Sequence, residues 1–314
     1  MSPQAAAAEF GESAIFIIAI WNPYHSYQQT KKQLLELGCT QVTWFYQLDA
    51  ACFPSRLPYY CIDNPDSMYA DKEDILKCAE LWYDEQSRQE YIAHLRWRRS
   101  PDEVYAPTPV TGDLYFLEDL FSLQAEDTFI DGGAFDGDTI LSLLGQPNGH
   151  IKEVLAFEPD PSNYSKLVSI VDGLDSHVKE RIVCYNLALS NTAGVERFMA
   201  TGQGSSSVSQ SGTIEVDCAK LDEILVNKKP TIMKFDIEGA ELAALAGAQE
   251  IIRKYKPILA VSVYHKQNDL WRIPLFINEL NPGYNLFLRS HYHDGLDTVC
   301  YAIPTDRLIN KIDS

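Results

Sequence analysis

The stretch Asp131-Gly132-Gly133-Ala134-Phe135-Asp136-Gly137-Asp138-Thr139 places three glycines and three aspartates within nine residues. Apolar residues 128–130 run into it and the apolar run 140–144 leaves it. Glycine lets a backbone turn tightly and approach a ligand closely. A pyrophosphate corner uses the spacing G-x-G-x-x-G at a helix N-terminus. Here the spacing is G-G-x-x-x-G, with Asp131, Asp136 and Asp138 around it. Carboxylates in those places repel a pyrophosphate and suit an ammonium or sulfonium, so the corner points to S-adenosylmethionine. Asp131, Gly132, Gly133, Phe135, Asp136 and Asp138 are therefore candidate cofactor residues. Glu158-Pro159 ends the next apolar run. A carboxylate there can accept both hydroxyls of a ribose. Nicotinamide enzymes use the same device, so Glu158 indicates an adenosine ribose and not which cofactor carries it. Capping of the following helix is its structural alternative. Asn186 either lines the adenosine or makes a turn.

A second group of chemically capable residues lies further along. Lys234, Asp236, Glu238 and Glu241 occur in the run Met233 to Glu241, and His265 ends a later apolar run. Transfer of a methyl group to a hydroxyl needs alignment, exclusion of water and a base beside the attacking oxygen. Asp236, at a strand tip, is the leading catalytic candidate and also a candidate cofactor residue. Glu238 follows it, and His265 has the near-neutral pKa of a base. Lys234 shares a strand face with Asp236, while Glu241 fits a helix cap. Arg289 and His291 share a face that can meet a polar substrate, and His293 reads as a turn residue. Asp236, Glu238 and His265 also have the ligand chemistry for Mg or Mn. Their spacing singles out no metal, and none is predicted.

These residues need a scaffold that brings strand tips together. Residues 14–20 predict a buried strand, 26–38 a helix and 41–48 a second strand, which makes a small N-terminal α/β domain over 1–100. It closes with a charged helical stretch, 71–99. Its Arg96-Trp97-Arg98-Arg99 cluster reads as a solvated or ion-paired face. The three prolines and the glycine of 101–112 predict a linker. From 113 to 314 strands and helices alternate: strands near 128–133, 153–159, 181–189, 231–239 and 257–265, then helix 273–281. Two closing strands, 284–292 and 298–304, turn at Asp294-Gly295. This predicts a mostly parallel sheet with helices on both faces and an antiparallel last strand. The polar run 202–212 predicts either a solvated loop or a lid. Trp21, Tyr24, His25, Tyr27, Trp44, Phe45 and Tyr46 make the N-terminal domain aromatic. They suit core packing, substrate docking or a homo-oligomer interface.

The chain has 314 residues, 46% of them hydrophobic, which is enough for two domains with buried cores, and a formal charge of -18. Such an acidic surface repels nucleic acid and anionic lipid. Seven irregularly spaced cysteines predict reduced thiols rather than a disulfide or zinc framework. The N-terminus lacks a signal-peptide pattern, and the apolar run 14–20 is too short to span a bilayer. A cytoplasmic protein is expected.

Four motifs resemble the FkbM family of S-adenosylmethionine-dependent methyltransferases over about 113–304. They are FIDGGAFDGDT, FEPDPSNY, NLALSNTAG, and LDEIL with IMKFDIEGAELAALAGA. The D-x-E-G-x-E run, Asp236 to Glu241, is the most specific of them. The chain departs from the family at Ser262-Val263-Tyr264-His265, where other members carry an acidic residue. The resemblance implies a class I methyltransferase fold, Rossmann-like, and transfer to a hydroxyl of a sugar or glycan. A polyketide-type acceptor, a nicotinamide-dependent oxidoreductase and a catalytically silent scaffold are the alternatives.

Overall fold

The computed structural model describes residues 1–20, 22, 24–52, 57–58, 60–100, 102–202, 206–208, 211–293 and 295–309. Trp21 and Asp294, and residues 203–205 and 209–210 of the polar run, lie outside the described residues. The strands are β1 (Ile15–Ile18), β2 (Gln41–Trp44), β3 (Thr128–Gly132), β4 (Glu153–Phe157), β5 (Ile182–Tyr185), β6 (Ala188–Leu189), β7 (Gly194–Met199), β8 (Ser207–Val208), β9 (Ile214–Ala219), β10 (Ile232–Phe235), β11 (Ile258–Ser262), β12 (Tyr284–Ser290) and β13 (Thr298–Pro304).

The main sheet has the order β12-β13-β11-β10-β3-β4-β5. Its β5, β4, β3, β10 and β11 run parallel, and β13 is antiparallel to both neighbours. The parallel sheet and the antiparallel closing hairpin agree with the sequence. Side chains alternate across each strand. Ile130, Leu155, Met233 and Leu259 enter one core. Phe129, Val154, Ile232 and Ile258 enter the other. Helices cover both faces, so strands such as β3 and β11 are buried along their whole length. Strand order reverses between β3 and β10, and the crevice beyond their carboxyl ends is where such sheets bind ligands.

Several expected elements are divided. Residues 181–189 do not form one strand, because β5 joins the main sheet while β6 pairs with β9 in a four-stranded sheet β6-β9-β7-β8. Within the polar run 202–212, Ser207–Val208 form β8 and pair with β7. Strand β2 stops at Trp44, where helix Phe45–Cys52 starts. The segment after β10 forms two helices, Glu241–Ala246 and Gln249–Tyr255. A Cβ on Gly247, between them, would lie 2.0 Å from the Ser190 carbonyl oxygen, so this close crossing needs glycine.

The N-terminal region differs most from expectation. Its two strands pair in parallel, yet β1 is not buried: Ile15 and Ile17 are 59% and 46% exposed. Tyr27, Trp44 and Tyr46 pack with Trp97 into a small aromatic core and are structural, whereas Tyr24 and Phe45 stay exposed. The helical stretch also crosses the expected domain boundary. Helix Lys72–Ala79 packs on helix Asp269–Leu280, and helix Glu85–Arg99 packs on β12. Cys78, Trp82 and Tyr91 enter the core of the main sheet. Arg98 is no surface charge: it is buried and donates to the Val263 and Gln267 carbonyls at 2.9 and 2.5 Å, which holds the chain just after β11.

Candidate active site

A cavity of about 770 Å³ opens beyond the carboxyl ends of β3, β4, β10 and β11. Gly133, Phe135, Phe157, Glu158 and Pro159 line it on the β3–β4 side, and Leu187 to Leu189 complete that wall. Lys234, Asp236, Glu238, Tyr115 and Tyr264 line it beside β10 and β11, together with Tyr24, His291, Tyr292 and Asp297.

Glu158 sits where the β4 tip meets the first loop. It accepts the Phe135 amide at 2.9 Å on one oxygen and the Asp160 amide at 2.8 Å on the other. Each oxygen keeps a second lone pair for a diol. Burial pushes the carboxyl up to about 7 against the pull of those amides. Asn186 does not line the cavity. Its side-chain amide donates to the Glu158 and Pro159 carbonyls at 2.8 and 3.0 Å, so it fixes the loop that carries Glu158.

The acidic corner divides by depth. Asp131 is fully buried and does not line the cavity. It pairs across the sheet with Lys234, whose Nζ lies 3.0 Å from its carboxylate and also donates to the Gly133 carbonyl at 2.6 Å. Burial opposes the Lys234 charge, but facing Asp131 and Asp236 raises its pKa and keeps it an ammonium. The lysine thereby fixes the first loop, and Asp131 neutralises it rather than meeting a ligand. Gly132 and Asp136 are also outside the lining, whereas Asp138 is in it. Gly133 has φ +80, and a Cβ there would come within 1.9 Å of the Asp236 carbonyl oxygen. That contact packs the β3 and β10 tips against each other and excludes every other residue.

The β10 and β11 tips bring together Asp236, Glu238, Glu241 and His265. Asp236 accepts the Tyr115 hydroxyl at 2.7 Å and the Tyr264 hydroxyl at 3.4 Å, one on each oxygen. Burial raises its pKa, but His265, Lys234 and the Tyr115 bond outweigh this and hold it low. Tyr115 has φ +76, a strained backbone for a non-glycine residue of the kind that collects at functional sites. His265 stands behind the cavity wall, its side chain 2% exposed. Its Nδ1 lies 2.8 Å from Glu241, and its Nε2 faces Asp236 at 3.4 Å and Glu238 at 3.5 Å. Burial alone would lower its pKa, yet the three carboxylates raise it well above 6.5. His265 is thus a held imidazolium, with Asp236 and Glu238 facing the cavity and Glu241 buried behind it. Glu241 also accepts the Ile237 and Gly239 amides, so it holds the loop ahead of its helix instead of capping the helix as expected.

Sequence reasoning missed Tyr115, Asp113 and Asp297. Each lies in a connecting segment without a motif and reaches the site only through the fold. Arg289 goes the other way: it is buried against Asp84 at 2.5 Å and does not line the cavity. His291 does line it, bonded to the Tyr301 hydroxyl at 2.8 Å and lowered to about 4 by burial.

Residues 131–292, which contain both halves of this site, match the family described as the methyltransferase FkbM domain. The chain belongs to the FkbM methyltransferase family. It is similar to the crystal structure of methyltransferase FkbM from Methylobacillus flagellatus KT, with 25% identity and a TM-score of 0.75. The similarity covers 90% of this chain and 72% of that one. A putative rRNA-methylase from Clostridium thermocellum matches over 61% of this chain and 90% of its own, at 9% identity and a TM-score of 0.38. No curated protein matches the chain. This FkbM chain is a methyltransferase whose main sheet carries the methyltransferase fold. Among its described residues no helix is long and apolar enough to cross a membrane.

Proposed function

We propose that the protein is an S-adenosylmethionine-dependent O-methyltransferase that acts on a sugar or glycan hydroxyl in the cytoplasm. One observation carries this reading: a single cavity joins a buried ribose-type acceptor, Glu158, to a second wall of carboxylates and tyrosines. At about 770 Å³ it is in the upper part of the roughly 300–1,000 Å³ range of ligand pockets, with room for a cofactor and an acceptor side by side.

The β3–β4 side fits S-adenosylmethionine. Glu158 offers lone pairs to the ribose, and Phe157 and Leu187 to Leu189 offer apolar surface to the adenine. When bound, that cofactor supplies an electrophilic methyl group on a sulfonium. The chain's own part is positioning and proton handling. Tyr24, Tyr264 and Tyr292 give ring faces for a pyranose, and Asp236 and Glu238 accept its hydroxyls. The transfer releases the hydroxyl proton, and these two carboxylates are placed to take it. Tyr115 and Tyr264 hold Asp236 for that role.

The test is incubation with S-adenosylmethionine and a panel of free sugars, nucleotide sugars, glycans and polyketide-type alcohols, read by mass spectrometry. Gain of one methyl group on a sugar oxygen is expected. Methylation confined to a non-sugar acceptor, or to nitrogen or carbon, would overturn the acceptor assignment.

A further inference from the structure

We infer that His291 binds the acceptor: its Nδ1–H donates a hydrogen bond to an oxygen of the sugar beside the hydroxyl that is methylated. The inference rests on the proposed function and adds a neutral donor to the carboxylates already placed there.

Tyr301, on β13, sets the imidazole. It is fully buried, and burial pushes its phenol up, so the hydroxyl keeps its proton. A buried hydroxyl needs an acceptor for that proton. The Tyr115 amide donates to the Tyr301 oxygen at 3.3 Å. Among the described residues the acceptor bonded to Tyr301 is His291 Nε2, at 2.8 Å. The phenol proton therefore points at Nε2. Burial, helped by the Arg289 charge, lowers the imidazole to about 4 and keeps it neutral. A neutral ring whose Nε2 accepts carries its own proton on Nδ1.

That Nδ1–H is available. It makes no hydrogen bond to another described residue and, unlike Nδ1 of His94, it is not sealed in the interior. His291 itself lines the cavity. The same network fixes the ring relative to the reacting groups. Tyr115 gives its amide to Tyr301 and its hydroxyl to Asp236 at 2.7 Å. One residue thus ties the imidazole to the carboxylate proposed to take the proton. The His291 amide, bonded to the Asp297 carbonyl at 3.2 Å, holds the backbone.

The acceptor half needs such a donor. Ionised Asp236, Glu238 and Asp297 present only lone pairs to the cavity. The Tyr115 and Tyr264 hydroxyls spend their protons on Asp236. Lys234 is committed to Asp131 and the Gly133 carbonyl. A sugar brings hydroxyl protons for the carboxylates, but its ring and hydroxyl oxygens also bring lone pairs. His291 can meet one of these without a positive charge that would repel a sulfonium. A bond on each side of the reacting hydroxyl fixes its direction of attack.

The experiment is steady-state kinetics of the full-length protein, His291→Phe, Tyr301→Phe and the double variant. The substrates are S-adenosylmethionine and the sugar that the acceptor panel singles out, with S-adenosylhomocysteine calorimetry beside them. His291→Phe should raise the acceptor KM roughly 3- to 10-fold, with S-adenosylhomocysteine affinity unchanged. His291→Asn, which keeps a side-chain N–H donor, should recover most of this. If His291 served only to satisfy the Tyr301 hydroxyl, its loss would change nothing once that hydroxyl is gone. The double variant should instead show a KM raised above that of Tyr301→Phe by a similar factor. It leaves no phenol unpaired and so keeps the test open if His291→Phe fails to fold. Equal KM values for the double variant and Tyr301→Phe would overturn the inference and leave the methyltransferase reading in place. Nitrogen NMR near neutral pH should find His291 protonated on Nδ1 alone, and a proton on Nε2 would also overturn it. Normal S-adenosylhomocysteine binding with no sugar methylated would overturn the acceptor assignment and this inference together.

Discussion

Strands β3 and β1 are both short, parallel and built around adjacent isoleucine and phenylalanine, yet they end in opposite environments. Every residue of β3 is buried, while β1 presents Ile15 and Ile17 to solvent. The difference lies in the layers. Strand β3 is an interior strand of a seven-stranded sheet with helices on both faces, and β1 belongs to a two-stranded sheet. An apolar run specifies a strand, but only the surrounding layers decide how many of its faces are covered. The same contrast separates the two contributions to the cavity. Residues at the tips of the main sheet are held on several sides, whereas Tyr24, from the N-terminal region, reaches the wall from a largely exposed position and meets Tyr292 edge to face.

The contrast is sharpest in stability. Ile130→Ala, in the interior strand β3, should cost about 2–5 kcal/mol in denaturant unfolding. Ile17→Ala should stay within about 0.5 kcal/mol. An equal cost at Ile17 would break the comparison and show that β1 is covered in solution.

A smaller effect is expected at Tyr115. Removing its hydroxyl by Tyr115→Phe frees Asp236 without touching the β3–β4 side of the cavity. A hydrogen bond to a charged group contributes about 1.5–3 kcal/mol, so the turnover rate should fall roughly tenfold or more. Affinity for S-adenosylhomocysteine should not change. Loss of that affinity would show that the two sides of the cavity do not act separately.

The smallest effect concerns pH. Glu158 has its carboxyl raised to about 7 by burial. The folded protein therefore prefers it neutral: its stabilising contribution is full below the ordinary glutamate range, near 4.5, and is lost as pH rises through 7. A ribose diol donates hydrogen bonds to the ionised form, so cofactor binding near pH 6.5 should release up to one proton. Calorimetry in two buffers of different ionisation enthalpy reads this release, and Glu158→Gln should abolish it.

The sequence made the strand tips legible because strand-helix alternation places such residues at one edge of the sheet. Glu158, Asp236 and Glu238 were read as tip residues in this way, and they line the cavity. It did not separate Asp131 from Asp138, since both stand in one acidic motif; the cross-strand pairing of Asp131 with Lys234 buries the first and leaves the second at the rim. Nor did it show Tyr115, whose contact with Asp236 spans 121 positions of chain. Arg98 looked like surface charge because a basic run has no period to mark which member turns inward.

The most direct test of the account is calorimetric titration of the protein and its Glu158→Gln variant with S-adenosylmethionine, S-adenosylhomocysteine and NAD. Saturable one-to-one binding of both sulfur ligands, weakened on the order of 30- to 100-fold in the variant and absent for NAD, is the predicted result. Binding of NAD alone, or equal affinity of the variant for the sulfur ligands, would contradict the placement of the cofactor at the β3–β4 tips.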